Sequence, residues 1–228
     1  MRRILPLLLI GAALAAACEQ KPTEVGAPPS DAKAVEKGFP TPDDPAARQR
    51  APDVFRVRFT TSKGDFVIEA RRAWAPIGTD RFYNLVRLGW YDDVRIFRVD
   101  PRFVVQFGMS GDPERSKEWM DANIPDDPVT QKNVKGSVSF ATAGPGTRTT
   151  QIFVNVVNNS SSLDHRGFAP FGTVVEGLDV LTSLTSTKPE HHPQGRSPQQ
   201  HQIAALGNQY LDSAFPELTR IESAKVEK

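Results

Sequence analysis

The chain has 228 residues, 39% of them hydrophobic and 8% aromatic, which suits one domain with a sizeable core and excludes a disordered chain. A net charge of +1 leaves no long-range field to recruit nucleic acid or an anionic membrane surface. One cysteine rules out a disulfide or a paired-cysteine metal site, while nineteen prolines and sixteen glycines favour a turn-rich β domain over a helical bundle.

Arg2 and Arg3 open the chain, and residues 4–17 form an apolar, uncharged stretch too short to span a bilayer comfortably. It ends in Ala15-Ala16-Ala17-Cys18. Small residues before a lone cysteine resemble a bacterial lipoprotein cleavage box, with one departure: Leu14 stands one place earlier than in the usual pattern. The resemblance implies a signal peptide over 1–18, lipidation of Cys18, and attachment to a membrane of the cell envelope through lipid only, facing the periplasm or exterior. The alternative is an ordinary secretory cut, which would leave Cys18 a free thiol in an oxidising compartment. Residues 19–52 are rich in Pro, Ala and charge, and cannot bury enough surface to offset their ordering entropy. They are expected to be a flexible tether reaching about 30 Å. The folded domain is then expected over 53–228.

Residues 54–60 are β-branched and aromatic with partial alternation, and 66–70 return after a Ser62-Lys63-Gly64-Asp65 turn, which predicts a hairpin. Pro76 suits the first turn of a helix in which Phe82, Leu85 and Val86 share a face and Gly89 is the stop. Two apolar runs, 94–99 and 103–108, flank the tight turn Asp100-Pro101-Arg102. Residues 112–135 are charged and read as an ordered excursion over the surface. Three further strands are predicted at 137–142, 152–157 and 168–175, and a short amphipathic helix at 177–184. A polar loop covers 188–202, the apolar spacing of 203–211 admits a short helix, and 218–226 alternates as a closing strand. About eight strands without a repeating α/β pattern predict a mainly β fold, a closed antiparallel barrel capped by two or three short helices.

Arg98 and Gln106 are polar intruders in two apolar runs that a tight turn makes antiparallel neighbours. Val104 and Gln106 share one face by the period of two, and Arg98 can lie across from it. An exposed strand arginine paired with an acid is an equally good reading of this segment alone. The Ser139-Phe140-Ala141-Thr142-Ala143-Gly144, Gln151-Ile152-Phe153 and Phe171-Gly172-Thr173-Val174 blocks change that balance. Together with Phe97-Arg98-Val99 and Phe103-Val104-Val105-Gln106-Phe107-Gly108, and in this order, they resemble the cyclophilins over nearly all of residues 54–222. The resemblance implies an eight-stranded barrel, peptidyl-prolyl cis–trans isomerase activity on X–Pro bonds of exported proteins, and a monomer that needs no cofactor or metal. Its partners would be proline-containing polypeptides. Arg98 is implied as the catalytic residue, with Phe103, Val104, Phe153 and Leu163 lining a proline pocket and Phe168 as a further wall. Gln106 would support the arginine and the peptide, Thr142 and Ala143 would offer backbone, and Gln151 would contact substrate. The family usually has His at the positions of Phe97 and Phe168, Met at Val104 and Trp at Ser162; the last difference argues against tight cyclosporin binding. A proline-peptide binding module or holdase on the same fold is the alternative, since such a pocket needs Phe103 and Phe153 but no guanidinium.

Other groupings suggest less. His191, His192 and His201 lie in a polar loop and read as solvated rather than metal-binding. Asp126-Asp127 and the Gly144-Pro145-Gly146-Thr147-Arg148 stretch read as solvated turns. Asp164 and His165 lack the nucleophile elbow that a hydrolase triad would need.

Overall fold

The computed structural model describes residues 38–191 and 195–227. The expected signal peptide with Cys18, the first part of the expected tether (19–37) and His192 lie outside the described residues.

In β1 (Val54–Thr61), Phe55, Val57 and Phe59 alternate inward, as their period of two dictates. The chain reverses at Gly64, whose φ of 121° suits only glycine, into β2 (Phe66–Arg71). Phe59 stands opposite Phe66, and their rings stack with centroids 4.7 Å apart. In α1 (Pro76–Arg87), Pro76 opens the first turn, and the Asp127 carboxylate accepts the free N–H groups of Ile77 and Gly78 at 2.9 and 2.8 Å. Phe82, Leu85 and Val86 face the core, and Gly89, at φ 72°, ends the helix.

The run 94–99, expected as one strand, forms two: β3 (Val94–Arg95) and β4 (Arg98–Val99). Val94, Ile96 and Val99 point into the core, a spacing of two followed by three. The extra residue breaks the regular pleat and leaves both Phe97 and Arg98 outside that core. Next come β5 (Val104–Phe107), α2 (Pro113–Trp119), β6 (Ser137–Phe140), β7 (Ile152–Asn155), α3 (Ser160–Leu163), β8 (Pro170–Glu176), α4 (Leu178–Thr182), α5 (Gln200–Ala214) and β9 (Arg220–Val226). The strands make one antiparallel, curled sheet of nine, ordered β3-β9-β1-β2-β8-β6-β7-β5-β4, where eight were expected. Its two edge strands are parts of the same short run. Five α-helices stand among the described residues rather than two or three.

Four other expectations are corrected. Residues 38–52, read as the end of a tether, dock on the domain. The Phe39 ring lies 5.7 Å from Trp90 and 6.3 Å from Trp119, and the Trp119 indole N–H donates to the Pro40 carbonyl at 3.1 Å. The Asn84 amide exchanges two hydrogen bonds with the Gln49 backbone, and Asp80 accepts the Ala51 N–H. These anchors are one aromatic ring and main-chain groups, which composition does not register. The 112–135 excursion carries α2 and buries Trp119, Asp127 and Asn133. Asp127 and Arg148 are not solvated, although Asp126 is: Arg148 is 2% exposed and meets the N-terminus of α1, donating to Asp127 at 3.0 Å. Mutual neutralisation makes that burial tolerable. Finally, the apolar spacing near 203–211 belongs to a longer helix, α5, kinked at Gly207, where a Cβ would overlap the Gly111 carbonyl.

Candidate active site

The register of β4 and β5 sets the geometry. Arg98 stands directly opposite Gln106. Facing side chains on one sheet surface lie close enough to bond, and Arg98 Nη1 donates to Gln106 Oε1 at 3.1 Å. Val105 and Phe107 point into the core, so Val104 and Gln106 point out of it, as the period of two requires. On this outer surface Val104, Phe153 and Leu163 form a buried apolar cluster of their own, flanked by Phe103, Ala141 and Phe168. The Phe153 and Phe168 rings meet edge-on at 5.7 Å.

These groups enclose a hollow of about 170 Å³. Arg98, Phe103, Val104, Gln106, Thr142, Phe153, Leu163 and Phe168 all line it, so most of the expected site residues converge on one place. Ala143 does not line it; its N–H is donated to Thr147 Oγ1 at 2.9 Å, which leaves its carbonyl for other partners. Gln151 stands beside the hollow, accepting the Gln106 Nε2–H at 2.9 Å, and lines a neighbouring hollow of about 280 Å³. Two lining residues were not anticipated, Ala141 and Gln200. Gln200, the first residue of α5, lies within a stretch that composition marks as a polar loop. Only the Ile203, Tyr210 and Leu211 spacing hinted that a helix begins there.

The Arg98 guanidinium is exposed, lies 5.6 Å from the Phe103 ring centroid, and has no ion-pair partner among the described residues. The nearby acid, Asp100, is instead bound by Lys188 at 3.0 Å. Burial raises the Asp100 pKa, but the Lys188 hydrogen bond, the Arg102 N–H and the nearby cations outweigh it and hold the carboxyl below its usual range. Asp100 therefore stays ionised without capturing Arg98, and the alternative reading of a strand arginine paired with an acid finds no such pair among the described residues.

The back of the hollow is held by buried amides. Asn133 Nδ2 donates to Asp164 and to the Phe168 carbonyl, and Asn159 Nδ2 donates to the Phe103 carbonyl at 2.9 Å. Asn155 links the two, donating to Asn133 Oδ1 and accepting from Asn159. Asp164 is thus an anchor for Asn133. Satisfied buried networks of this kind fix one arrangement of the walls they touch. Phe97 is covered by α5, packing with Ile203, Tyr210, Leu211 and Phe215. A large apolar residue beside Arg98 therefore has a structural reason: it seats the helix that brings Gln200 to the rim. No group of three or more His, Cys, Asp or Glu among the described residues is placed to hold a metal ion. An apolar hollow with a free, permanently charged guanidinium at its lip can take up a small apolar ring and stabilise negative charge or a lone pair developing beside it.

Residues 56–208 match the family model described as "Cyclophilin type peptidyl-prolyl cis-trans isomerase/CLD". Among curated proteins, the chain is 30% identical over 140 residues to peptidyl-prolyl cis-trans isomerase A of Dickeya dadantii (strain 3937), covering 59% of this chain and 73% of that one. It is 30% identical over 135 residues to peptidyl-prolyl cis-trans isomerase B of Escherichia coli (strain K12), covering 56% and 82%. It is 30% identical over 179 residues to peptidyl-prolyl cis-trans isomerase CYP23 of Arabidopsis thaliana, covering 76% of each. Among solved structures, a cyclophilin type peptidyl-prolyl cis-trans isomerase of Cryptosporidium parvum is similar in fold, with a TM-score of 0.57 at 18% identity over 77% of this chain and 98% of that one. A second structure of that protein, in the presence of the dipeptide Ala-Pro, has a TM-score of 0.55 at 19% identity, covering 76% and 99%.

Proposed function

Because the chain belongs to the cyclophilin-type peptidyl-prolyl cis–trans isomerase family, we propose that it accelerates rotation about X–Pro bonds with Arg98 as the catalytic residue. The observation that carries this reading is the Arg98 guanidinium at the lip of an apolar hollow, held by Gln106 and without an ion-pair partner among the described residues.

Amide resonance opposes rotation by about 18–20 kcal/mol. At X–Pro the cis and trans states differ by only about 0.5–1 kcal/mol, so both are populated but exchange slowly. Rotation needs no bond to break. It needs the nitrogen lone pair withdrawn from resonance and stabilised where it appears. The proline ring would sit against Val104, Phe153 and Leu163, with Phe103 and Phe168 as side walls. Arg98 would then donate to the pyramidalising nitrogen. Gln106 holds the guanidinium from below, because its Oε1 is committed to Arg98 and its Nε2 to Gln151. An apolar wall also excludes water, which strengthens the guanidinium's effect on the developing lone pair. The amide network behind Phe103 and Phe168 keeps the hollow at one width.

The sheet, with the 94–99 run pairing at both of its ends, reads as a barrel closed through that run. Substrates are exported polypeptides, met by a monomer held to an envelope membrane through lipid on Cys18; the support is the apolar stretch and small residues before that cysteine.

A protease-coupled assay on an Ala-Pro peptide tests the function. Acceleration over the spontaneous rate is expected, and binding without acceleration would leave a proline-peptide binding module instead. Cys18→Ser is expected to release the protein from the membrane fraction; retention there would refute the anchor.

A further inference from the structure

The orientation of four side chains around the hollow follows from one fact of chemistry: a guanidinium has donors and no acceptor. Gln106 must therefore turn its oxygen to Arg98, at 3.1 Å. Its NH₂ then faces Gln151 Oε1, at 2.9 Å. Gln151 in turn presents its NH₂ to Gln200 Oε1, at 3.2 Å. The donor direction runs unbroken from Arg98 to α5. It leaves the Gln200 Nε2–H donors at the end, with no hydrogen-bond partner among the described residues. Among the described residues, Gln200 is also the one that lines both the apolar hollow and the neighbouring one of about 280 Å³.

We propose that Gln200 is a substrate-binding residue, donating its Nε2–H to a main-chain carbonyl of the polypeptide beside the proline. This rests on the isomerase reading for the identity of the ligand. A polypeptide whose proline occupies the apolar hollow must continue past the divide between the two hollows. The main-chain groups it brings there include carbonyl acceptors, and a side chain ending in free donors complements them. The same residue acts as a positioning residue for Arg98, through Gln151 and Gln106. Its placement comes from α5, which is seated by Ile203, Tyr210 and Leu211 around Phe97. The helix thus covers Phe97, the chain neighbour of Arg98, and carries Gln200 at the rim of the hollow.

Two substitutions separate the roles. Gln200→Glu keeps an acceptor for Gln151 but removes the donors, and Gln200→Ala removes both. The side chain is exposed, so both variants should melt within about 2 °C of the wild type. Peptide affinity is read from NMR shift titration with Ala-Ala-Pro-Phe, and turnover from cis–trans exchange on the same samples. Both variants are expected to bind roughly five-fold more weakly. Turnover at saturation should stay within about two-fold of wild type for Gln200→Glu and fall about three-fold further for Gln200→Ala. Unchanged affinity in both variants would overturn the substrate contact. Equal turnover in both would overturn the positioning role. If the wild type binds the peptide without accelerating exchange, the isomerase reading fails, and the affinities still decide the contact. If the wild type does not bind the peptide, both proposals fall.

Discussion

Replacing Gln106 by Leu keeps the shape of the outer sheet surface and removes the group that aims Arg98. Gln106 is 5% exposed and stands opposite Arg98 in register, so Leu fits the same space among Val104 and Phe153. The stability change should be small, below about 1 kcal/mol, because Arg98 and Gln151 both reach solvent and recover water partners. Turnover should respond more. The Arg98–Gln106 bond is charge-assisted, and without it the guanidinium is restrained only by its 5.6 Å contact with the Phe103 ring. Misplacement of a catalytic group by about 1 Å costs on the order of 100-fold. A loss of about 10- to 100-fold in kcat, equivalent to roughly 1.4–2.7 kcal/mol, is therefore expected. KM should remain within about two-fold, since the apolar walls are intact. Exchange NMR over a range of Ala-Pro peptide concentrations measures both parameters. An unchanged kcat would refute the positioning argument. A raised KM at constant kcat would mean that Gln106 contacts the peptide instead of orienting Arg98.

Asp127→Ala should destabilise the protein by about 2–4 kcal/mol in chemical denaturation, because it uncaps α1 and leaves the buried Arg148 guanidinium only the more exposed Asp126 as an ion-pair partner; a cost under about 1 kcal/mol would contradict that pairing. Glu69→Gln tests a pH dependence. The Arg56 hydrogen bond, opposed by burial and aided by Arg71, holds the Glu69 carboxyl below its reference of 4.5, so its contribution is fully present above that pH and is lost as pH falls through the lower folded value. The stability gap between wild type and variant should narrow from neutral pH to about pH 3, and a constant gap would show that Glu69 is not the titrating group. Phe39→Ala should speed hydrogen exchange at the Trp119 indole N–H, which Pro40 otherwise accepts; unchanged protection would mean that residues 38–52 dock without the ring.

The parts of this molecule that were legible in the sequence share one property: they depend on near neighbours in the chain. The Asp100-Pro101-Arg102 turn fixed the Arg98–Gln106 register within nine residues, and alternation then assigned Val104 to the same surface. Pro76 and Gly89 bracketed α1 for the same reason. What was hidden depended on distant partners or on the count of residues between inward positions. Ile96 and Val99 are both apolar, so the three-residue spacing that splits the run into β3 and β4 was invisible until their partners β9 and β5 were known. Asp127 and Arg148 are charged, and each looked solvated; only their pairing across twenty-one positions explains their burial. Residues 38–52 hang on Asn84 and Asp80, whose side chains bond main-chain groups that composition cannot register. Gln200 is polar, sits in a polar stretch, and reaches Gln151 only because Phe97 gives α5 a seat.

On the proposed mechanism, one guanidinium at the lip of the hollow drives the rotation. The most direct measurement is the cis–trans exchange rate of a saturating Ala-Pro peptide with wild type, Arg98→Lys and Arg98→Ala. Removing a preorganised donor of this kind costs about 100- to 1,000-fold, so Arg98→Ala should lose that much with the peptide still bound. Arg98→Lys should fall between, because a point charge lacks the fork that reaches Gln106 and the nitrogen together. Wild-type exchange rates in Arg98→Ala would contradict the claim and move the chemistry to the hollow itself.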